Sequence, residues 1–151
     1  MFGVAAKPWC HSLVGVDVSP GMLAVAASKS AYEDLVAADL LDHLRACDGD
    51  AFNAIVAADV LCYLGDLTEL FEQAHRVCRV GGIFGFSVEN DPLATADYGL
   101  RSTGRFAHSA GYIRALAQRF GFAEREANPV TVRFENGSPV TGLVFLLVKP
   151  S

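Results

Sequence analysis

Residues 13–23, LVGVDVSPGML, contain the pattern that decides the fold. Leu13–Asp17 predicts a short buried strand, because a brief apolar run is closed by an acid. Ser19 can cap a helix and Pro20 suits the first helical position, so the strand is expected to lead directly into a helix. The segment therefore predicts a strand–loop–helix unit, the building block of α/β proteins.

The same order of strand and acid occurs twice more along the chain. Leu35–Ala37 predicts a second strand that is followed by Asp39, and Phe52–Ala58 predicts a third that is followed by Asp59. Ligands of open α/β sheets bind at the carboxyl ends of the strands. Acids at these positions can accept hydrogen bonds from ribose hydroxyls and from amino groups. This repetition is the strongest chemical signal in the sequence.

The clearest helix of the sequence lies before the fourth predicted strand. Asp66 can cap this helix, Glu69 completes a capping-box spacing, and Gly81-Gly82 is expected to end it. The fourth strand is predicted at Ile83–Val88. Because strands alternate with helices, the sequence predicts a mostly parallel, doubly wound sheet.

The last third of the chain has a different pattern. Residues 91–105 are polar and contain glycine, which predicts a loop able to act as a lid, and Ser109 is expected to cap a further helix. Val130–Glu135 and Val140–Val148 predict two strands joined by Asn-Gly-Ser-Pro, which is a hairpin signal. The predicted fold is therefore α/β, with an antiparallel hairpin at one sheet edge, and residues 1–151 are expected to form a single domain.

Composition fits a core-rich globular domain and excludes several other classes of protein. Of 151 residues, 52% are hydrophobic and 19% are charged, which excludes a disordered or fibrous chain. No apolar run reaches the roughly 18 residues of a membrane helix, and no signal-peptide pattern is visible. The four cysteines form no C-x-x-C pair and are interpreted as free thiols, so a cytoplasmic location is expected.

Charge is distributed unevenly along the chain. Residues 1–100 contain 5 basic and 14 acidic side chains, whereas residues 101–151 contain 7 basic and 3 acidic ones. An acidic body does not suit nonspecific binding to nucleic acid or to membranes, so neither is expected as a partner. The basic last third either faces an anionic substrate group or forms a solvated helix face.

The order and spacing of these motifs resemble the class I S-adenosylmethionine-dependent methyltransferases. LVGVDVSPGML is similar to their second strand and following helix, and LVAADL at 35–40 to their third strand. FNAIVAADVLCYLGDL at 52–67 and ELFEQAHRVCRVGGIFGFSVE at 69–89 resemble the fourth strand, fourth helix and fifth strand. Val80 stands where this family often has proline before the glycines. The resemblance implies a Rossmann-like fold and S-adenosylmethionine as the cofactor.

The C-terminal segments resemble one particular group within these methyltransferases. GRFAHSAGYIRALAQRFGF at 104–122 and RFENGSPVTGLVFLLVKP at 133–150 are similar to the methyltransferases that are often fused to tetratricopeptide repeats. The resemblance covers nearly the whole chain, and it implies methyl transfer to a small molecule or a protein side chain.

The resemblance also implies the residues that contact the cofactor. Asp17, with Val18 beside it, corresponds to the acid that accepts from both ribose hydroxyls. Asp39 corresponds to the acid that accepts from the adenine amino group, and Leu40 to the residue that packs on the ring. The carbonyl of Ala58 corresponds to one that faces the amino group of the cofactor. The structural alternative for the two acids is that they cap loops.

Two residues are the candidates for catalysis. His108 is the best general base by residue type, because the pKa of histidine lies near working pH, although it could instead simply precede the Ser109 cap. Asp59 could orient the nucleophile, act as a base or cap a turn. Tyr63 could line the pocket or pack. No metal is expected, because Asp59 with Glu89 matches a magnesium site only in part.

One departure from the family concerns the N-terminus. In a Rossmann-type unit the acid lies about 20 residues beyond the glycine loop, yet Asp17 is only the 17th residue. FGVAAK at 2–7 is interpreted as the latter part of the first helix, so the first strand and the glycine loop are expected to be missing from a truncated domain. We therefore expect weak cofactor binding and include an inactive enzyme among the outcomes.

Two other functions stay open on the sequence alone. A non-catalytic remnant of the methyltransferase fold could act as a binding or dimerising module, which would make the chain a homo-oligomer. A NAD-binding oxidoreductase is the second alternative, because an acid after the second strand suits NAD equally well.

Overall fold

The computed structural model of the protein describes residues 2–90 and 96–151. The chain forms two compact units, Met1–Cys47 and Asp48–Ser151, and each is described by itself. The four cysteines are free; Cys62 and Cys78 are buried, and Cys10 and Cys47 are half-buried. No helix of the described residues is both long and apolar enough to cross a membrane.

The first unit contains a parallel pair of short strands with a helix after each strand. Its elements are α1 (Phe2–Ala6), β1 (Val14–Asp17), α2 (Pro20–Ala27), β2 (Asp34–Ala37) and α3 (Leu40–Ala46), with a 3₁₀ turn at Lys7–Trp9. Of the segment predicted to be helical, residues 2–7, Phe2–Ala6 form α1 and Lys7 begins the 3₁₀ turn. In the strand pair, Asp17 lies opposite Ala37, so the carboxyl ends of β1 and β2 meet at the same edge.

The second unit is built around one six-stranded sheet. Its elements are β3 (Phe52–Ala57), a 3₁₀ turn at Leu61–Tyr63, α4 (Thr68–Val77), β4 (Cys78–Glu89), β5 (Tyr98–Leu100), β6 (Phe106–His108), α5 (Ala110–Arg119), β7 (Ala123–Glu135) and β8 (Ser138–Val148). The strand order is β5-β6-β4-β8-β7, and β3 also pairs with β4. The pairs β3–β4 and β4–β6 are parallel, whereas β8 is antiparallel to both of its neighbours. The predicted α/β class with a C-terminal antiparallel hairpin is confirmed.

Aromatic packing forms the core of the second unit. Phe71 on α4 makes edge-to-face contacts with Phe84 and Phe86 on β4, with ring centroids 5.6 Å apart in both pairs. Phe86 stacks on Phe145 of β8, and Phe122 joins the cluster from the end of α5. Burial of such large rings is a main source of folding free energy, so this cluster ties α4 and the turn after α5 to the sheet.

The hairpin and α5 follow the local sequence signals closely. The Ser109 side chain accepts from the backbone N–H of Tyr112 at 3.1 Å, which confirms the predicted cap. Asn136 and Gly137 have φ of 49° and 80°, the left-handed values that a two-residue hairpin loop requires. The Asn-Gly pair therefore sets the register in which Glu135 lies opposite Ser138.

The end of α4 differs from the prediction. The helix ends at Val77, and the chain is already extended at Cys78, four residues before the glycine pair ends. A Cβ atom at Gly82 would lie 2.7 Å from both the backbone oxygen of Arg79 and the sulfur of Cys78. The glycine is required because the strand backbone approaches its neighbours closely, and the prediction that Gly81-Gly82 ends the helix is wrong.

Two further local predictions need correction. Helix α4 begins at Thr68 with Leu67 at the cap position, and the Asp66 carboxylate accepts from the backbone N–H of Thr68 at 2.7 Å. Asp66 therefore stabilises the first turn from the position before the N-cap, and not from the N-cap itself as predicted. The predicted lid loop lies partly outside the described residues (91–95), and the part that is described includes strand β5.

Candidate functional site

Two strand-end acids of the first unit lie at the same edge of the β1–β2 pair. Asp17 Oδ1 accepts from the backbone N–H of Ser19 at 2.8 Å. Asp39 caps α3, and its Oδ1 accepts from the N–H groups of Leu41 at 2.8 Å and Asp42 at 3.3 Å. Both acids therefore cap the backbone that follows their strand. An ionised carboxylate offers about four acceptor sites, so each retains capacity for a ligand.

A small cavity adjoins Asp17 in the first unit. It has a volume of about 160 Å³, and its lining includes Gly15, Met22 and Tyr32. A Cβ at position 15 would lie 2.7 Å from the Leu35 side chain, so the glycine keeps this strand close to its surroundings. The remaining predicted cofactor residues of this unit are exposed Val18 and half-buried Leu40. Apolar surface beside a carboxylate with spare acceptor capacity fits the adenosine part of the expected cofactor.

In the second unit, Asp59 occupies an unusual backbone conformation at the end of β3. Its φ is 56°, in the left-handed region that L-residues other than Asn and Asp rarely adopt. The backbone N–H of Asp59 donates to Ser87 Oγ on β4 at 2.8 Å, which holds the turn against the neighbouring strand. Ala58, the other predicted residue at this strand end, is exposed.

Arg133 of β7 joins the carboxyl ends of β3 and β4. One guanidinium nitrogen lies 3.0 Å from Asp59 Oδ1, and another donates to the carboxylate of Glu89, the last residue of β4. The Arg133 side chain is 14% exposed and that of Glu89 only 7%. The C-terminal hairpin is therefore part of this site, which the sequence prediction did not include.

A second arginine extends the network toward the surface. Glu135 accepts from Arg133 Nε at 3.3 Å and also pairs with Arg105. Arg105 donates to the hydroxyl of Tyr63 at 3.2 Å, and its guanidinium lies 5.5 Å from the centre of that ring. We call the set Asp59, Tyr63, Glu89, Arg105, Arg133 and Glu135 the strand-end network.

The network changes the ionisation of its members and neighbours. Burial alone would lower the pKa of the Arg133 guanidinium, but hydrogen bonds and charges from Glu89, with Glu135 and Asp59, raise it above the ordinary value. Burial and the charge of Asp59 raise the pKa of the Cys62 thiol to about 11. Because the reactive form of cysteine is the thiolate, Cys62 is not a nucleophile near neutral pH.

His108, the predicted general base, is fully buried. Its Nε2 lies 2.9 Å from the carbonyl oxygen of Gly65, and because a carbonyl only accepts, Nε2 carries the proton. The ring stacks on Tyr112, and Nδ1 has no hydrogen-bond partner among the described residues. Burial lowers the pKa of His108, which favours the neutral form of the ring. This geometry favours support of the Gly65 turn, and the role of general base stays a prediction.

A groove of about 390 Å³ forms a separate feature of the second unit. Asp66, Asp97, Tyr112 and Arg119 are among its lining residues. Tyr112 donates to Asp66 Oδ1 at 3.0 Å and accepts from the N–H of Leu67 at 2.9 Å, so both polar side chains are engaged within the protein. Over the described part of the chain, no group of three His, Cys, Asp or Glu side chains could hold a metal ion.

The structure thus brings Asp59 into a network but leaves His108 in the core. Arg133 and Glu135 are the main members that sequence reasoning missed. They are two residues apart in one strand and so point to the same face. This pairing of opposite charges beside the Asn-Gly turn was the only local signal for them.

Comparisons with known proteins identify the fold. Residues 2–86 match a family described as a methyltransferase domain. No curated protein matches the chain. A SAM-dependent methyltransferase from Methanosarcina mazei is 14% identical, with a TM-score of 0.71, over 92% of this chain and 82% of that one.

Two further solved structures show the same fold. The N-methyltransferase NodS from Bradyrhizobium japonicum, in complex with S-adenosyl-L-homocysteine, is 22% identical with a TM-score of 0.71, over 99% of this chain and 72% of that one. The 1,6-didemethyltoxoflavin-N1-methyltransferase from Burkholderia thailandensis, with bound 1,6-didemethyltoxoflavin and S-adenosylhomocysteine, is 16% identical with a TM-score of 0.71, over 93% and 62% of the two chains. At such low identities the likeness shows a Rossmann-like fold.

Proposed function

The chain belongs to the methyltransferase domain family, and from this premise we propose that it transfers a methyl group to a small-molecule or protein acceptor. The cofactor is S-adenosylmethionine. The observation that carries the proposal is the parallel β1–β2 pair, whose two terminal acids lie at one edge, inside the residues that match the family. That edge is where open α/β sheets bind their ligands.

The first unit supplies contacts to the adenosine part of the cofactor. Asp17 accepts from the ribose hydroxyls with the acceptor sites that the Ser19 N–H leaves free. Asp39 accepts from the adenine amino group while it caps α3. Val18 and Leu40 offer apolar surface for the ring. For the carbonyl of Ala58, which belongs to the second unit, a cofactor contact stays a prediction of the sequence. The exposure of Val18 supports its role.

Positioning accounts for most of the proposed catalysis. S-adenosylmethionine supplies a methyl group on a sulfonium, an already activated leaving group, so proximity and alignment of the acceptor account for most of the rate. Asp59 orients the acceptor, because its carboxylate is held by Arg133 and its side chain is 43% exposed. His108 is the candidate general base predicted from the sequence. Substitution of His108 would also remove its hydrogen bond to the Gly65 carbonyl. The four free thiols fit a cytoplasmic protein.

Calorimetric titration with S-adenosyl-L-homocysteine tests the proposal. Asp17→Ala should weaken binding at least tenfold, because a bidentate ribose contact is lost, roughly two hydrogen bonds to a charged group. Asp17→Asn keeps an acceptor for the Ser19 N–H and separates a folding effect from a binding effect. Asp34→Ala is the matched control, since Asp34 begins β2 and lies at the opposite end of the strand pair.

The titration has a clear contrary outcome. Equal affinity of the wild type, Asp17→Ala and Asp34→Ala proteins would remove Asp17 from the site. If the wild type binds NADH and does not bind the homocysteine compound, the oxidoreductase alternative replaces methyl transfer.

A further inference from the structure

Asp59 and Tyr63 are the most exposed members of the strand-end network. The Asp59 side chain is 43% exposed, and Tyr63 is 61% exposed. Arg133 and Glu89 are largely covered, and the side chains of Arg105 and Glu135 are 25% and 28% exposed. The groups most accessible to an incoming molecule at this strand end are therefore a carboxylate and a tyrosine ring.

Both arginines of the network bind its carboxylates, and the one nitrogen of Arg105 that has no partner among the described residues, Nε, is buried. Arg133 contacts Asp59, Glu89 and Glu135, and Arg105 contacts Glu135 and the Tyr63 hydroxyl. Three acids face two arginines, so the network carries an excess of one negative charge. An anionic group arriving here would have to displace a carboxylate from a guanidinium, whereas a cationic group would meet an accessible oxygen of Asp59.

We propose that Asp59 and Tyr63 form a subsite for an organic cation, an ammonium or guanidinium group carried by the methyl acceptor, and that Arg133 is its positioning residue. Only one part of this proposal rests on the proposed function, namely that the cation belongs to the methyl acceptor. A carboxylate and the face of an aromatic ring are the two protein groups that attract organic cations. One face of the Tyr63 ring is taken by Arg105, and the exposure of the residue leaves ring surface for a ligand.

Arg133 acts on the subsite through geometry. Its planar guanidinium holds Asp59 and Glu89 with two different nitrogens, so the Asp59 carboxylate has a fixed direction at the end of β3. Lysine would keep the charge but not this two-sided contact. Arg133→Lys therefore separates positioning from simple charge compensation.

The test uses two small probes of similar size and opposite charge, phenethylamine and 3-phenylpropanoate. Each is titrated into the ¹⁵N-labelled chain at pH 7 and low salt, and amide shifts are followed. Phenethylamine should shift the amides around Asp59 and Tyr63 in a saturable way, and 3-phenylpropanoate should not. Equal shifts from both probes, or none from the amine, would overturn the subsite.

Variants assign the contacts. Asp59→Asn should weaken amine binding about fivefold, a typical effect of one exposed charge contact, and Tyr63→Leu should weaken it by a similar factor. Tyr63→Phe keeps the ring and should retain most of the affinity. Glu124→Gln is the control carboxylate, because Glu124 pairs with Arg114 and not with the network. Unchanged binding by Asp59→Asn and Tyr63→Leu would contradict the proposal.

The positioning role has its own readout. Arg133→Lys should lose amine binding to the same extent as Asp59→Asn, with near-ultraviolet circular dichroism confirming the fold. Wild-type affinity in a folded Arg133→Lys protein would show that Arg133 does not position Asp59. Asp59→Asn and Tyr63→Leu alter exposed groups, so they test the subsite even if the Arg133 variant does not fold.

The same samples are titrated with S-adenosyl-L-homocysteine, which separates the two proposals. Amine binding without binding of the homocysteine compound would refute methyl transfer and leave the cation subsite intact. The opposite result would refute the subsite alone.

Discussion

The two units hold their strand-end acids in different ways. In the first unit, Asp17 and Asp39 are held by backbone N–H groups two or three residues further along the chain. In the second unit, the side chains of Asp59 and Glu89 are held by Arg133, which is 74 and 44 residues away in sequence. The acids look alike in the sequence, where each follows a strand. They differ in how far along the chain their hydrogen-bond partners lie.

This difference has consequences for stability and for function. A local capping interaction leaves the carboxylate exposed and contributes about 1 kcal/mol. A buried charge pair depends on both partners, so removal of one leaves the other desolvated and unpaired. The first kind of support suits a contact that the ligand completes, whereas the second fixes a carboxylate before any ligand arrives.

Arg133→Met should produce the largest effect, because it breaks the distant support. Glu89 would be left buried without a partner, and the free energy of unfolding should fall by about 3 kcal/mol. Urea denaturation followed by circular dichroism measures the change. Arg114→Met is the control, because the Arg114–Glu124 pair has side chains that are 54% and 32% exposed and should contribute less than about 1 kcal/mol.

A double variant sharpens the interpretation of Arg133. In Arg133→Met with Glu89→Gln the unpaired charge is removed, so much of the lost stability should return. If the double variant is no more stable than Arg133→Met alone, the loss of unfolding free energy does not come from the buried Glu89 charge. The proposed difference between the two units would then be wrong.

The pH dependence of stability tests another long-range feature, the burial of the His108 ring beside Gly65. Burial lowers the pKa of His108 in the folded state, so the unfolded state binds more protons as pH falls below the ordinary histidine value of about 6.5. Stability from the neutral ring is thus fully present above that pH and is lost as pH falls toward the folded pKa. The slope is at most about 1.4 kcal/mol per pH unit for one proton.

His108→Gln should flatten this slope between pH 7 and pH 5, as measured by urea denaturation at each pH. His11→Gln is the control, because His11 is exposed. An unchanged slope in the His108 variant would mean that another group, such as His75, whose pKa burial also lowers, sets the pH dependence.

The sequence distance between each residue and its contacts explains which features the sequence could predict. The strand ends at Asp17 and Asp39, the Ser109 cap and the Asn-Gly turn depend on neighbours within about four residues, so a local pattern is sufficient to predict them. Contacts of Arg133 depend on which strands the hairpin lies beside, which no local pattern contains. The prediction for the end of α4 was wrong partly for the same reason, because the backbone of Asn53 on β3, which is distant in sequence, approaches Gly82 closely.

The smallest effect is expected at Asp39, where the support is local. Asp39→Ala removes the acceptor for two N–H groups at the start of α3, and the free energy of unfolding should fall by about 1 kcal/mol. Asp39→Asn keeps an oxygen for the same N–H groups and should cost only a few tenths of that. Because the charge is lost in Asn while the cap is retained, a fall in S-adenosyl-L-homocysteine affinity in Asp39→Asn at unchanged stability would identify Asp39 as a ligand contact. A loss of more than about 3 kcal/mol in Asp39→Ala would instead show that the acid has long-range support, which would erase the difference between the two units.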